Sequence, residues 1–187
     1  MSNVNTIDIL VSEHNNIKTM LKVVRTMCLN ILESQEVDYE DFYTVIDFIR
    51  NYADKYHHGK EEDMLFKYME EQLTEKIGEG PIQGMLIEHD YGRAFVSNLE
   101  LALKEYEKGN NEAKLDIIAN AIGYGNLLQN HIHKEDNVIY RYAENNLSKE
   151  TLNRLDVEFK SFEEDTEHIQ LKEKYKDLIN KLSNKYL

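Results

Sequence analysis

Six side chains in this sequence have the types and spacing to bind cations: His14, His57, Glu61, His89, His131 and Glu135. His57 and Glu61 are four positions apart, as are His131 and Glu135. On a helix, residues i and i+4 sit one above the other, so each pair can turn an imidazole nitrogen and a carboxylate oxygen toward one point. His14 and His89 each add an imidazole. All six interrupt otherwise apolar stripes, where a polar group left without a partner is costly to bury. Four nitrogens and up to four carboxylate oxygens exceed what one ion needs, and the set fits two cations bridged by two carboxylates. Imidazole with carboxylate and no thiolate suits iron and also accommodates manganese or zinc. The glutamate charges offset those of the cations, which makes burial tolerable.

The remaining histidines carry no such pattern. His58 and His133 lie one and two positions off the stripe, and His168 sits in an acidic run; all three read as non-ligands. Glu62, Asp63 and Asp136 follow the ligand motifs but point away by roughly 100° or more, toward solvent or behind the ligands.

Four long helices are needed to bring these groups together, and hydrophobic spacing supplies them. Ile7, Leu10, His14, Ile17, Leu21, Val24, Cys28 and Ile31 recur in steps of three and four, one face of a helix from about Thr6 to Glu33. A second stripe reads Phe42, Ile46, Ile49, Ala53, His57, Glu61, Met64 and Tyr68. The third runs Ile82, Met85, His89, Gly92, Val96, Leu99, Leu103 and Tyr106, opening at Pro81, where proline suits a first turn. The fourth is Ile117, Ala121, Tyr124, Leu128, His131, Glu135 and Val138. With short connections, such helices form an all-α, up-down-up-down four-helix bundle. We read residues 1–147 as the bundle. Residues 148–187, opening at the N-cap Ser148, form a C-terminal helical extension packed on it.

The chain also repeats itself. Glu13-His14 recurs as Glu88-His89, and the string HHGKEEDMLF (His57 to Phe66) recurs as HIHKEDNVIY (His131 to Tyr140). Each helix pair carries a lone histidine followed by HxxxE. Packed face to face, the two halves form a site with approximate two-fold symmetry.

Composition narrows the partners. A net charge of −13 repels phosphate backbones and anionic lipid, which argues against nucleic acid and membrane surfaces. No apolar run approaches the ~18 residues of a spanning helix, and no leader pattern opens the sequence. These features point to the cytoplasm. Cys28 is the lone cysteine, so neither an internal disulfide nor a cysteine-based metal cluster is available. One proline and eight glycines are poor material for a turn-rich β protein.

At four places, SEHNNI, HHGKEEDMLF, IEHDYG and HIHKEDNVIY, spacing, order and flanking residues resemble the hemerythrin-like (HHE cation-binding) domain family, over residues 5 to 145. The resemblance implies two iron ions joined by an oxygen-atom bridge and two bridging carboxylates, held by the six residues above. Oxygen carriers of that family have a further histidine one turn after the third-helix histidine. Here that position is Arg93, and the second bridging carboxylate is Glu135 at i+4 rather than an aspartate at i+5. Both departures resemble the six-ligand subgroup, associated with sensing or reacting with oxygen, nitric oxide or peroxide.

Three functions fit. The first is a non-haem di-iron protein of oxidative or nitrosative stress that reacts with or senses peroxide, oxygen or nitric oxide, with a peroxide or oxygen reductase fed by an unknown electron donor as one form of it. The second is a reversible oxygen-binding or sensing module. The third is iron donation in the repair of iron–sulfur centres. The tyrosines Tyr52, Tyr56 and Tyr124 fall near the site by helical spacing and could relay electrons.

Overall fold

The computed structural model describes residues 5–187. Residues 1–4, where the expected first domain begins and part of the segment read for a leader lies, are outside the described residues.

The first helix, Thr6–Ser34, starts where the Asn5 side chain accepts the Asp8 N–H at 2.8 Å. It ends at Gln35, whose φ of 62° turns its N–H back onto the Ile31 carbonyl. The second is a long rod of four successive segments, Tyr39–Phe48, Ile49–His58, Glu61–Phe66 and Lys67–Ile77. The third, Gly80–Glu107, has Pro81 in its first turn as expected. The fourth is again a rod, Ala113–Lys134, Glu135–Ile139 and Tyr140–Asn146.

Cross-contacts fix the directions. Asn16 reaches Tyr52 and His14 reaches His57, so the first two helices run antiparallel. Tyr43 donates to Glu107 at one end, and Gln83 donates to Glu70 at the other, so the second and third do likewise. Phe95 lies against Gly123 and His89 against His131, completing the up-down-up-down arrangement.

The C-terminal extension comprises two helices, Lys149–Glu163 and Thr166–Tyr186. Together they run the length of the second rod in reverse. Gln72 meets Thr151, Tyr68 meets Glu158, Lys60 meets Glu163, Asp47 meets Tyr175, and Asp41 meets Lys185. Phe159, Tyr175 and Leu182 from these helices are fully buried, so the extension is part of the core.

The core divides into two apolar clusters. One includes Ile17, Val24, Phe48, Tyr52, Val96, Leu128 and Tyr175. The other gathers Leu10, Phe66, Met85, Ile139, Tyr140 and Phe159. Between them lies a layer of buried histidines and glutamates. Among the described residues, no helix is long and apolar enough to cross a membrane.

Candidate metal centre

The two HxxxE motifs sit where the second and fourth rods widen from α- to π-helical turns. In the fourth, the Tyr140 N–H passes over one residue to reach the Glu135 carbonyl; in the second, the Gly59 N–H reaches Asp54. A turn closed by i→i+5 bonds holds more residues, so successive side chains diverge by less than in an α-helix. That brings His57, His58 and Glu61 all into the interior, with His57 and Glu61 at 0% exposure.

The four expected histidine ligands meet in two pairs. Nε2 of His14 lies 2.9 Å from Nε2 of His57, and Nε2 of His89 lies 3.0 Å from Nε2 of His131. Every Nδ1 faces outward onto a carboxylate: His14 onto Asp136 at 2.7 Å, His57 onto Glu13 at 2.8 Å, His89 onto Glu62 at 2.6 Å and His131 onto Glu88 at 2.9 Å. The internal repeat is therefore physical. Glu13, Lys60 and His57 in one half match Glu88, Lys134 and His131 in the other, with each lysine ammonium donating to its glutamate.

Glu61 and Glu135 stand between the pairs, both completely buried. Glu135 puts one oxygen 3.3 Å from Nε2 of His14 and the other 3.0 Å from Nε2 of His131. Oε2 of Glu61 is 3.8 Å from His57 and 3.6 Å from His89. Both oxygens of Glu135 and Oε2 of Glu61 have no hydrogen-bond partner. Two overlapping groups have ligand atoms within 4.8 Å of one another: His14, His57, Glu61 and Glu135, and His58, Glu61, His89 and His131. Glu61 belongs to both.

This arrangement fits cations and fits poorly without them. An imidazole that donates from Nδ1 to a carboxylate presents a bare lone pair at Nε2. Two such lone pairs about 3 Å apart repel unless a cation or proton stands between them. The surrounding charges bias these groups in opposite directions. Burial works against charge on His14, but Asp136 and Glu135 outweigh it and hold it above the ordinary imidazole value; Glu135 and Glu62 do the same for His89. Burial and the neighbouring charges of His14 and His58 hold His57 well below it. Burial and the facing Glu135 push Glu61 well above the usual carboxylate range. Burial opposes the charge of Glu135, yet His131, His14 and His89 keep it ionised, well below that range. Three unpartnered carboxylate oxygens and four inward nitrogens make a donor set of hard oxygen and imidazole ligands suited to iron, manganese or zinc.

Two features break the two-fold symmetry. Tyr140 corresponds to Phe66 in the repeat. Its hydroxyl donates to Glu61 and lies 3.4 Å from Nε2 of His14, over whose ring it stacks at 5.6 Å. His58 corresponds to Ile132. It is 6% exposed and its ring stacks on His89 at 3.8 Å with a 7° interplanar angle. Sequence spacing missed both. Alpha-helical periodicity places His58 off the stripe, and the π-turn brings it in. Tyr140 lies one turn beyond Glu135 in a stretch that reads as ordinary core.

Arg93 does not enter the site. It is fanned outward, its Nε donating to Asp54 at 2.9 Å, Nη1 to Asp90 at 3.0 Å and Nη2 to Glu62 at 2.8 Å. Since Glu62 also holds His89, Arg93 braces a ligand from behind. Arg93, Asp54, Gly92, Val96, Tyr124, His58 and His89 help line a small cavity of about 90 Å³. Of the other expected neighbours, Tyr56 donates to Glu163 at 2.6 Å and Tyr52 accepts from Asn16 at 2.7 Å. His133 is exposed beside Asn137, and His168 faces the Phe162 carbonyl, both away from the centre.

The hemerythrin HHE cation binding domain matches residues 5–143 of the chain. No curated protein and no solved structure was found to match it.

Proposed function

The chain belongs to the hemerythrin HHE cation-binding domain family, and from that premise we propose that it is a cytoplasmic di-iron protein that reacts with a small oxidant, peroxide, oxygen or nitric oxide. In this reading His14 and His57 hold one ion, His89 and His131 the other, and Glu61 and Glu135 bridge them. Manganese and zinc fit the same donors. The observation that carries the reading is Glu135, whose two unpartnered oxygens face one histidine of each pair. When bound, two ferrous ions supply the two electrons that reduce peroxide to water.

The chain's own residues set the conditions for that reaction. Four outward carboxylates fix each ligand ring and its tautomer, raising the basicity of Nε2. Two apolar clusters on either side exclude bulk water from the layer between them. Arg93 is held by three carboxylates and, as a guanidinium, offers no lone pair to a metal. The side chain at that position therefore adds no ligand that would close the centre.

The test is mixing anaerobically reduced, iron-loaded protein with peroxide, oxygen and nitric oxide in turn while following the visible spectrum. Rapid oxidation by peroxide with no vacuum-reversible oxygen adduct supports a reactive centre. A stable adduct released under vacuum would make the protein an oxygen carrier instead.

A further inference from the structure

His58 is the one buried histidine near the centre that the six-ligand set leaves without a role. Its equivalent in the other half of the repeat is Ile132, also buried, so this position in the fold is satisfied by an aliphatic side chain. A buried imidazole in place of an alkyl group has to find polar partners. The contact it makes within the protein is long, 3.4 Å from Nδ1 to Oδ1 of Asp54. Asp54 is itself fixed by the Nε of Arg93 at 2.9 Å. The arrangement repeats that of the four histidines already described, with Nδ1 turned to an outer carboxylate and Nε2 left with its lone pair. A ring nitrogen of His58 lies within 4.8 Å of ligand atoms of Glu61, His89 and His131; its ring stacks on that of His89 at 3.8 Å and has to tilt out of the stack for its in-plane lone pair to converge with theirs.

From this geometry we propose that His58 is a further metal ligand, joining His89, His131 and the bridging glutamates on one side of the centre. The proposal rests on the two-metal reading above. It makes the two ions inequivalent. One has three imidazoles; the other has His14 and His57, with the Tyr140 hydroxyl beside them. The more open ion is then the one held by His14 and His57. His58 enters from the second rod because the π-turn there gathers His57 and His58 on one face, each bound for a different ion. Ile132 in the fourth rod offers no such donor, which is why the asymmetry runs one way.

The experiment loads wild type, His58→Ile and His58→Gly with iron-57 under anaerobic conditions and measures iron per chain, retention against a chelator and Mössbauer spectra. Isoleucine is the residue the other half of the repeat carries, and glycine opens the adjoining cavity to added imidazole. The expected result is two unlike iron signals in wild type. In His58→Ile, one of these signals changes and one ion is held about tenfold or more weakly, the range seen when a supporting or ligating group is lost. Imidazole added to His58→Gly should restore the wild-type signal. If wild type holds two irons and both variants match it in retention and spectrum, His58 is not a ligand and the six-ligand centre stands. If wild type itself fails to hold an iron pair, the two-metal reading falls, and this proposal with it.

Discussion

Nε2 of His14 and Nε2 of His57 face each other at 2.9 Å, while their Nδ1 atoms are turned outward onto Asp136 and Glu13. Two nitrogens so placed are ligand atoms waiting on a positive charge, and the same geometry recurs between His89 and His131 at 3.0 Å.

Because each residue supplies one nitrogen of a facing pair, His57→Ala and His131→Ala should each lose metal. His133→Ala, an exposed residue beside Asn137, should retain it. Metal content after gel filtration checks this. Full metal content in His57→Ala would break the assignment.

The outward carboxylates should matter nearly as much as the ligands. Asp136→Asn and Glu62→Gln keep the side-chain shape but weaken the grip on Nδ1, and each should lower metal affinity by about 10- to 100-fold. Competition with a chromophoric chelator measures it. Unchanged affinity in both would mean that the carboxylates are packing only.

Metal binding needs neutral imidazoles and ionised carboxylates, so it competes with protons. His14 and His89 sit above the ordinary imidazole value and Glu61 well above the carboxylate range, so the ligand forms are depleted as pH falls. Affinity should therefore drop with decreasing pH across the neutral range, by about tenfold per pH unit for each proton displaced. A flat profile between about pH 8 and pH 6 would contradict it.

The C-terminal helices carry part of the core. Phe159→Ala should cost about 3–5 kcal/mol of stability, since it removes a fully buried ring. Val157→Ala, on the exposed face of the same helix, should fall within about 0.5 kcal/mol of wild type. Denaturant unfolding of the metal-free protein distinguishes the two.

The long helices and the convergence of six ligand candidates were legible in the sequence because a 3.6-residue period with polar interruptions marks buried polar positions directly. The first helix ends at Ser34, one residue beyond the expected end. His58 was not legible, since its inward turn depends on π-helical winding that residue spacing does not reveal. Tyr140 was hidden for a different reason: the fourth stripe reads to Val138, which is exposed, while Tyr140, two residues on, takes the buried place. The role of Arg93 as a brace depends on Asp54, Asp90 and Glu62 converging from two helices, which only the packed structure brings together.

The most direct test of the centre is the number of metal ions per chain after anaerobic reconstitution with ferrous iron and removal of excess metal. Two pairs of facing Nε2 atoms bridged by Glu61 and Glu135 predict two ions per chain, retained through gel filtration. One ion or fewer, even after reconstitution, would contradict a two-metal centre.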